Sequence, residues 1–183
     1  MNPVKRVVIL NGSGGSGKGT FVGCLMNNSV SVMERSIVDE AKIILYSYGW
    51  DGKKDDKSRL CLCTMLDALK MIDAPYRYLV DCYTDFIDDD DYDMLTIDIR
   101  EPEDIKRMVE FFKSVNCPVK TVLFERPAVE KITTNHADAG VANYPYDLII
   151  ENSGNLDHLK RTAKWFIDHY DELNGQKIAT TDY

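Results

Sequence analysis

The sequence lacks the features that mark disulfide-bonded, zinc-binding and membrane-spanning proteins. Its cysteines number five, an odd count with no Cys-x-x-Cys pair, so neither a disulfide framework nor a zinc site is indicated. No apolar run approaches the length that a membrane span needs. The first apolar run begins a few residues after Met1, so we expect no signal peptide. These absences predict a soluble cytoplasmic protein.

Basic residues are outnumbered by acidic ones. Lys and Arg number 22 against 30 Asp and Glu, which gives a formal net charge of −8. This excess of acidic residues disfavours binding to nucleic acid or to an anionic membrane surface, and we expect neither as a partner. Any anion must therefore be bound by a local cluster of donors. The length of 183 residues predicts a single domain over positions 1–183, either monomeric or homodimeric.

Apolar runs alternate with segments of helical periodicity along the chain, as is typical of parallel α/β sheets. Strands are predicted near 4–10, 30–35, 93–98, 118–124 and 146–150. Helices are predicted near 17–27, 38–48, 56–72, 76–88, 102–115 and 155–171. The pattern predicts a three-layer α/β fold, with a mainly parallel five-stranded sheet and helices on both faces.

A glycine-rich loop lies between the first predicted strand and the first helix. It consists of Gly12, Ser13, Gly14, Gly15, Ser16, Gly17, Lys18, Gly19 and Thr20. Glycines let successive backbone N–H groups turn inward around a phosphate, and the positive end of the helix dipole adds to the attraction. We predict that the loop binds a nucleoside triphosphate, with Lys18 reaching the β- and γ-phosphates. Gly19 stands where a magnesium-binding Ser or Thr usually follows the lysine, and Thr20 comes one position later.

The same loop also satisfies the dinucleotide-binding pattern Gly-x-Gly-x-x-Gly through Gly12, Gly14 and Gly17. Glu34 lies about where that pattern places a ribose-binding acid. The dinucleotide pattern asks for tight apolar packing directly after its third glycine, whereas Lys18 stands there. The triphosphate interpretation is therefore favoured, and a dinucleotide-dependent oxidoreductase is the alternative.

The third predicted strand ends on an acid. Ligands of open α/β sheets bind outside the carboxyl ends of the strands, and Asp98 stands at such an end. We predict that Asp98 holds Mg²⁺ through water. Arg100 emerges beside it, and its guanidinium donors suit a transferring phosphoryl group.

Three stretches together resemble the nucleoside monophosphate kinase superfamily. Residues 14–20 have the adenylate-kinase form of the phosphate loop, in which Gly-Thr follows the lysine. Residues 97–105 (IDIREPEDI) and 143–154 (NYPYDLIIENSG) are similar to the phage-type deoxynucleoside monophosphate kinases and the animal-type phosphomevalonate kinases. The resemblance implies a P-loop kinase fold, with ATP as phosphoryl donor and Mg²⁺ as cofactor.

The resemblance also implies roles for residues that follow the strands. Lys18 matches the lysine that bridges the phosphates, and Asp98 and Arg100 match the acid and arginine after the third strand. Arg126 matches the arginine of a short lid, about residues 126–143, that closes on the phosphates. The loop that holds the adenine would consist of Asn152, Ser153 and Gly154. This lid has fewer arginines than adenylate kinase lids, with Arg126 and Lys131 as its full cations and His136 uncertain, so AMP is not the expected acceptor.

Residues 36–90, between the second and third strands, form the insertion in which such a kinase would bind its phosphate acceptor. The candidates for acceptor binding are Ser36, Asp39, Lys42 and Arg59. Arg59 falls in the first turns of a helix, where a cation opposes the helix dipole at a small cost that acceptor binding would explain. For Trp50 a position in the core is favoured over stacking on a base.

The expected reaction is ATP- and Mg²⁺-dependent phosphoryl transfer to a small-molecule acceptor, a ribo- or deoxynucleoside monophosphate, giving the diphosphate. An acceptor phosphate is ionised near neutral pH, so this reaction needs no general base. A small-molecule kinase with a dephospho-coenzyme A-like or phosphomevalonate-like acceptor is the alternative. For a hydroxyl acceptor, as in dephospho-coenzyme A, Asp39 would be the base. An alternative of another class is a non-catalytic regulator that binds a nucleoside triphosphate.

Overall fold

The structure is a computed structural model that describes residues 5–53, 55–127 and 141–183. Over these ranges the chain forms six strands, which are β1 (Arg6–Asn11), β2 (Val32–Ser36), β3 (Met94–Asp98), β4 (Val119–Glu125), β5 (Leu148–Glu151) and β6 (Gln176–Ala179). It also forms six α-helices, which are α1 (Lys18–Met26), α2 (Asp39–Ser47), α3 (Asp56–Lys70), α4 (Ala74–Asp88), α5 (Pro102–Ser114) and α6 (Leu156–Asp168). The predicted elements agree with these to within a few residues.

The strands form one sheet in the order β2-β3-β1-β4-β5-β6, and each neighbouring pair is parallel. The register pairs Asp98 with Leu10 on one side and with Ser36 on the other. The carboxyl ends of β1, β2 and β3 therefore lie level with one another. The predicted α/β fold with a parallel sheet and helices on both faces is confirmed.

The predicted count of five strands is wrong, because β6 adds a sixth at the edge of the sheet. This strand has only four residues, and its first two are exposed polar side chains. Its backbone pairs with β5, and Lys177 lies 2.8 Å from Glu125 and 3.5 Å from Glu151. A short polar edge strand has no apolar run that would reveal it in the sequence.

Alternate residues of each strand face opposite sides of the sheet, which gives two apolar cores. Val8 and Leu10 of β1 face one core, which α1 and α6 cover with Phe21, Leu25, Leu159 and Phe166. Val7 and Ile9 face the other, which α3, α4 and α5 cover with Leu66, Leu79, Phe86, Ile105 and Phe112. Burial of each large apolar side chain contributes about 1.5–3 kcal/mol, so both layers hold the sheet firmly.

The helices α2, α3 and α4 lie in the stretch between β2 and β3 that was predicted as an insertion. They pack against one another and against β2, which places α2 and α3 beside the carboxyl ends of the strands. None of the helices in the described part of the chain is long and apolar enough to cross a membrane.

Candidate functional site

A cleft of about 980 Å³ opens at the carboxyl ends of β1, β2 and β3 and extends to α2 and α3. The predicted site residues that line it are Ser13, Gly14, Gly15, Ser16, Gly17, Lys18, Gly19, Thr20, Ser36, Asp39, Lys42, Arg59, Asp98, Arg100 and Arg126. Gly12, Asn152, Ser153 and Gly154 lie outside its lining. The fold thus gathers the proposed phosphate loop and the proposed acceptor residues around one space.

The glycine-rich loop connects β1 to α1 with a backbone that side chains would obstruct. Gly12 has a φ of 140°, and a Cβ there would lie 2.5 Å from the carbonyl oxygen of Phe124. Gly17 has a φ of 105°, and its Cβ would lie 2.3 Å from Nδ2 of Asn152. Gly17 also precedes α1 without a side-chain cap, so the first N–H groups of α1 have no capping side chain within the described residues. Such a helix start is suited to binding an anion.

Asn152 forms a hydrogen bond with the backbone of the glycine-rich loop. Its side chain is 7% exposed, and Nδ2 donates a 2.9 Å hydrogen bond to the carbonyl oxygen of Ser16. The backbone N–H of Gly154 donates to Oγ1 of Thr180 at 2.9 Å, which connects this segment to the C-terminal residues. Adenine binding by Asn152, Ser153 and Gly154 stays a prediction, and the observed contacts give Asn152 a supporting position.

Lys18 and Asp98 face each other at the floor of the cleft. The Nζ of Lys18 donates to the carbonyl oxygen of Gly12 and lies 3.9 Å from Oδ1 of Asp98. Only 12% of the Lys18 side chain is exposed. The ammonium thus lies between the loop backbone and a carboxylate. If the loop binds a triphosphate, the phosphates would lie beside this ammonium.

The surroundings of Asp98 fit a magnesium ion. Its Oδ1 is buried and makes no hydrogen bond within the described residues, and the hydroxyl-bearing Thr20 lines the same cleft. In the described ranges, no group of three His, Cys, Asp or Glu side chains could hold a metal ion. Mg²⁺ commonly takes one or two carboxylates and completes its shell with water and phosphate oxygens. Asp98 with Thr20 would supply the protein's share.

Two arginines lie near the phosphate loop. Arg126 follows β4, is exposed, and donates a 3.2 Å hydrogen bond from Nη1 to the carbonyl oxygen of Gly15. Arg100 is half-buried and lines the cleft beyond Asp98. Most of the predicted lid 126–143, including Lys131 and His136, lies outside the described residues, so lid closure stays a prediction.

One face of α3 closes the far end of the cleft. It presents Arg59, Leu62, Cys63 and Leu66, which recur at helical spacing. The Arg59 side chain is half-buried and makes no hydrogen bond or ion pair with any other described residue. A guanidinium that lines a cleft and has no ion-pair partner among the described residues is suited to binding an anion.

Asp39 and Lys42 lie in the first turn of α2, just after β2. One oxygen of the Asp39 carboxylate accepts a 2.7 Å hydrogen bond from the N–H of Ser36, and the other lies 2.8 Å from Nζ of Lys42. Ser36 in turn donates from Oγ to the carbonyl oxygen of Asp98 at 3.3 Å. Both oxygens of Asp39 thus have a partner in the protein, and a general base would first have to give up one of these contacts.

The core position favoured for Trp50 is wrong. The indole is half-buried at the cleft, its ring lies 4.8 Å from that of Tyr46, and Nε1 donates to Oγ of Ser58 at 3.0 Å. The irregular segment 51–53 leaves Trp50 beside the start of α3 and away from both cores. Sequence reasoning missed this because apolar content alone does not distinguish a core side chain from a cleft side chain.

Several cleft residues were not identified from the sequence. The additional charged residues of the lining are Glu34, Arg35, Lys53, Glu101 and Asp104, of which only Glu34 had been considered, as a ribose-binding acid. Behind the lining, the fully buried Asn11 contacts Tyr146 and the loop. A polar residue that ends an apolar strand is the one sequence signal that points to Asn11. Burial raises the pKa of Tyr146 to about 12, and the hydrogen bond from Asn11 lowers it only in part.

No family model and no curated protein matches this sequence. Among solved structures, the chain is similar to a sugar kinase from Janibacter sp. HTCC2649, with a TM-score of 0.49, 15% identity, and coverage of 94% of this chain and 99% of that one. It is also similar to TT1252 from Thermus thermophilus, with a TM-score of 0.47, 17% identity, and coverage of 90% and 97%. A third is the Mycobacterium tuberculosis APS kinase CysC in complex with AMPPNP and APS, with a TM-score of 0.46, 15% identity, and coverage of 92% and 99%. At these scores the likeness carries no functional information, so function has to follow from the side chains of the cleft.

Proposed function

We propose that this protein transfers the γ-phosphoryl group of ATP to the phosphate of a small acceptor, a ribo- or deoxynucleoside monophosphate. The observation that carries the proposal is a single cleft lined both by the glycine-rich loop, its donor end, and by Arg59 on α3, its acceptor end. Lys18 of the loop, Asp98 and Arg100 line the same cleft. Cations and loop N–H groups are thus arranged along a path that two phosphate groups would occupy.

The donor end would bind ATP through the loop backbone and Lys18. Mg²⁺, when bound through Asp98 and water, supplies charge neutralisation for the phosphates. Lys18 and Arg100 would neutralise the charge that moves between the β- and γ-phosphates during transfer, and Arg126 would do so from the loop side. Phosphoryl transfer depends mainly on such positioning and neutralisation, so no covalent role for the protein is needed.

The acceptor end would bind the acceptor phosphate through Arg59. An oxygen of that phosphate attacks the γ-phosphorus, the bond from the γ-phosphorus to the β,γ-bridging oxygen breaks, and ADP leaves with the electron pair. The attacking oxygen is already ionised near neutral pH, so no proton has to be removed. Asp39, the residue that would serve as base for a hydroxyl acceptor, has both oxygens engaged by Ser36 and Lys42.

The decisive experiment is an acceptor screen that follows ADP release. The protein is incubated with ATP and Mg²⁺ and with each ribo- and deoxynucleoside monophosphate, dephospho-coenzyme A or phosphomevalonate. ADP formed with one or a few nucleotides supports the proposal, and ADP formed only with dephospho-coenzyme A or phosphomevalonate contradicts it. ATP-dependent thermal stabilisation without turnover would favour a non-catalytic regulator, and stabilisation by NAD or NADP alone would favour an oxidoreductase.

The best acceptor also allows a test of the acceptor's chemistry through Asp39→Asn. For a phosphate acceptor the variant should keep much of kcat, because a phosphate nucleophile needs no base. For a hydroxyl acceptor it should lose roughly a hundredfold or more in kcat, as expected for loss of a general base. A collapse in kcat with unchanged acceptor binding would therefore contradict the monophosphate kinase assignment.

A further inference from the structure

A buried ionic cluster joins three helices at the edge of the cleft. The Nζ of Lys70, the last residue of α3, lies 2.7 Å from Oδ2 of Asp104 and 2.9 Å from Oε2 of Glu101. Tyr76 of α4 donates a 2.6 Å hydrogen bond to the other carboxylate oxygen of Asp104. Only 6% of the Asp104 side chain and 15% of the Lys70 side chain are exposed. The cluster therefore fixes the end of α3 and the start of α4 against the start of α5.

The cluster lies next to the residues assigned to phosphoryl transfer. Glu101 directly follows Arg100 in the chain and precedes α5, and both residues line the cleft together with Asp104. Arg59 lines the cleft from the other end of the helix that carries Lys70. Lys70 thus links the helix that would bind the acceptor to the loop that presents Arg100.

Lys70 is the cation that compensates two neighbouring carboxylates. Burial lowers its pKa, but the hydrogen bonds to Asp104 and Glu101 outweigh burial, and the pKa is raised overall. Lys70 therefore stays charged at neutral pH. Without it, the Asp104 carboxylate, which is 6% exposed, would lose its ion-pair partner, which is strongly unfavourable. Arg100 borders the same cleft and would be drawn toward that carboxylate.

We propose that Lys70 is a positioning residue, which neutralises Glu101 and Asp104 so that the Arg100 guanidinium stays directed at the transferring phosphoryl group. The inference rests on the proposed function, in which Arg100 neutralises that group. In this proposal Lys70 contacts neither ATP nor the acceptor, and it affects the rate of transfer through Arg100.

The test compares kcat for three variants with the acceptor found by the screen. Lys70→Met should lower kcat by roughly ten- to a hundredfold through misplacement of Arg100, with little change in ATP binding. Lys70→Arg should retain most of kcat because it keeps the charge. The double variant Lys70→Met, Asp104→Asn restores the cluster's net charge of −1 and should recover much of the loss.

A purely structural role would lower the fraction of folded protein, whereas misplacement of Arg100 lowers kcat in protein that is folded. The kcat of each variant is therefore measured well below its melting temperature. A loss in Lys70→Met that disappears when kcat is expressed per folded protein, or a double variant with no recovery, would overturn the inference. If Lys70→Met does not fold, Lys70→Gln keeps most of the stem and a donor while it removes the charge, and the same loss of kcat is expected. Turnover that is insensitive to both variants overturns this inference alone, whereas no turnover by the unmodified protein overturns the proposed function and the inference with it.

Discussion

The side-chain amide of Asn11 donates a 2.6 Å hydrogen bond to the hydroxyl of Tyr146, 135 positions later in the chain. The same amide donates to the carbonyl oxygen of Arg100 at 2.8 Å, and its oxygen accepts from the N–H of Gly12 at 2.6 Å. The Tyr146 hydroxyl in turn donates a 2.6 Å hydrogen bond to the carbonyl oxygen of Val141. Every polar group in this buried network has a partner, and the network holds the start of the phosphate loop to two other segments.

Replacing Tyr146 by Phe should destabilise the fold through this network. Loss of the hydroxyl leaves the Val141 carbonyl without its partner and removes one acceptor of the Asn11 amide, so the free energy of unfolding should fall by about 1–3 kcal/mol. Denaturant unfolding of the variant and of the unmodified protein measures this decrease in the free energy of unfolding. Tyr144→Phe is the matched control, because the Tyr144 ring packs 5.2 Å from that of Tyr146 but its hydroxyl takes no part in the network. Equal effects of the two substitutions would contradict the prediction.

Lys18→Ala should abolish turnover and leave the fold intact, because the ammonium lies at the proposed phosphate site and outside both cores. The increase in melting temperature that ATP with Mg²⁺ produces should largely vanish with it. Thermal unfolding with and without ATP measures both effects. Lys113→Ala, at an exposed lysine on α5, is the control and should keep the shift. Unchanged turnover in Lys18→Ala would rule out the phosphate-loop interpretation.

Arg126→Ala tests whether this arginine acts mainly during transfer. Its guanidinium is exposed and contacts the loop only through the Gly15 carbonyl, so we expect it to meet phosphate charge chiefly in the transition state. The substitution should therefore lower kcat more than it weakens ATP binding. Steady-state kinetics and ATP titration measure the two quantities, with the exposed Arg161→Ala on α6 as control. Equal losses would make Arg126 a ground-state contact, and no loss would make it structural.

Arg59→Ala tests the acceptor end of the cleft. Loss of one charge-assisted contact of about 1.5–3 kcal/mol should raise the acceptor KM by roughly ten- to a hundredfold. ATP affinity should hardly change, because Arg59 lies on α3 and is not part of the glycine-rich loop. Arg77→Ala removes an exposed arginine from α4 and is the control. An acceptor KM that stays the same in Arg59→Ala would exclude this arginine as the acceptor-phosphate ligand.

The ion pairs of Lys70 should make stability depend on pH in the alkaline range. Its pKa in the folded state is raised above the ordinary 10.5, so the folded chain keeps a proton that the unfolded chain has lost. The stabilisation is complete below about pH 10 and is lost as pH rises through the folded pKa. The neighbouring Tyr76, whose pKa burial raises to about 12, changes stability in the same direction. Unfolding of the protein and of Lys70→Met between pH 8 and 11 should therefore show a steeper decline for the unmodified protein, and parallel curves would contradict this.

Much of the fold follows from local patterns. The alternation of apolar runs and helical segments predicted β1 to β5 and the six helices, because period-2 and period-3.6 burial leave distinct traces in the sequence. The glycine-rich loop was equally visible, since glycines, two of them at positive φ next to close neighbours, and a lysine at a fixed spacing form one continuous segment. Asp98 was found because it ends an apolar strand, where open parallel sheets gather polar side chains.

The sequence by itself therefore determined the α/β class and the residues that surround the proposed phosphate site. The tertiary structure decided the sixth strand, the position of Trp50 at the cleft, the contact between Asn11 and Tyr146, and the pairing of Lys70 with Asp104. These features depend on which distant segments become neighbours, and a polar side chain leaves the same trace in a sequence whether its partner is water or a residue far along the chain. The packing of helices on the sheet decides whether the partner is water or a distant residue. A polar side chain that this packing buries loses water and has to form a hydrogen bond with another group of the protein.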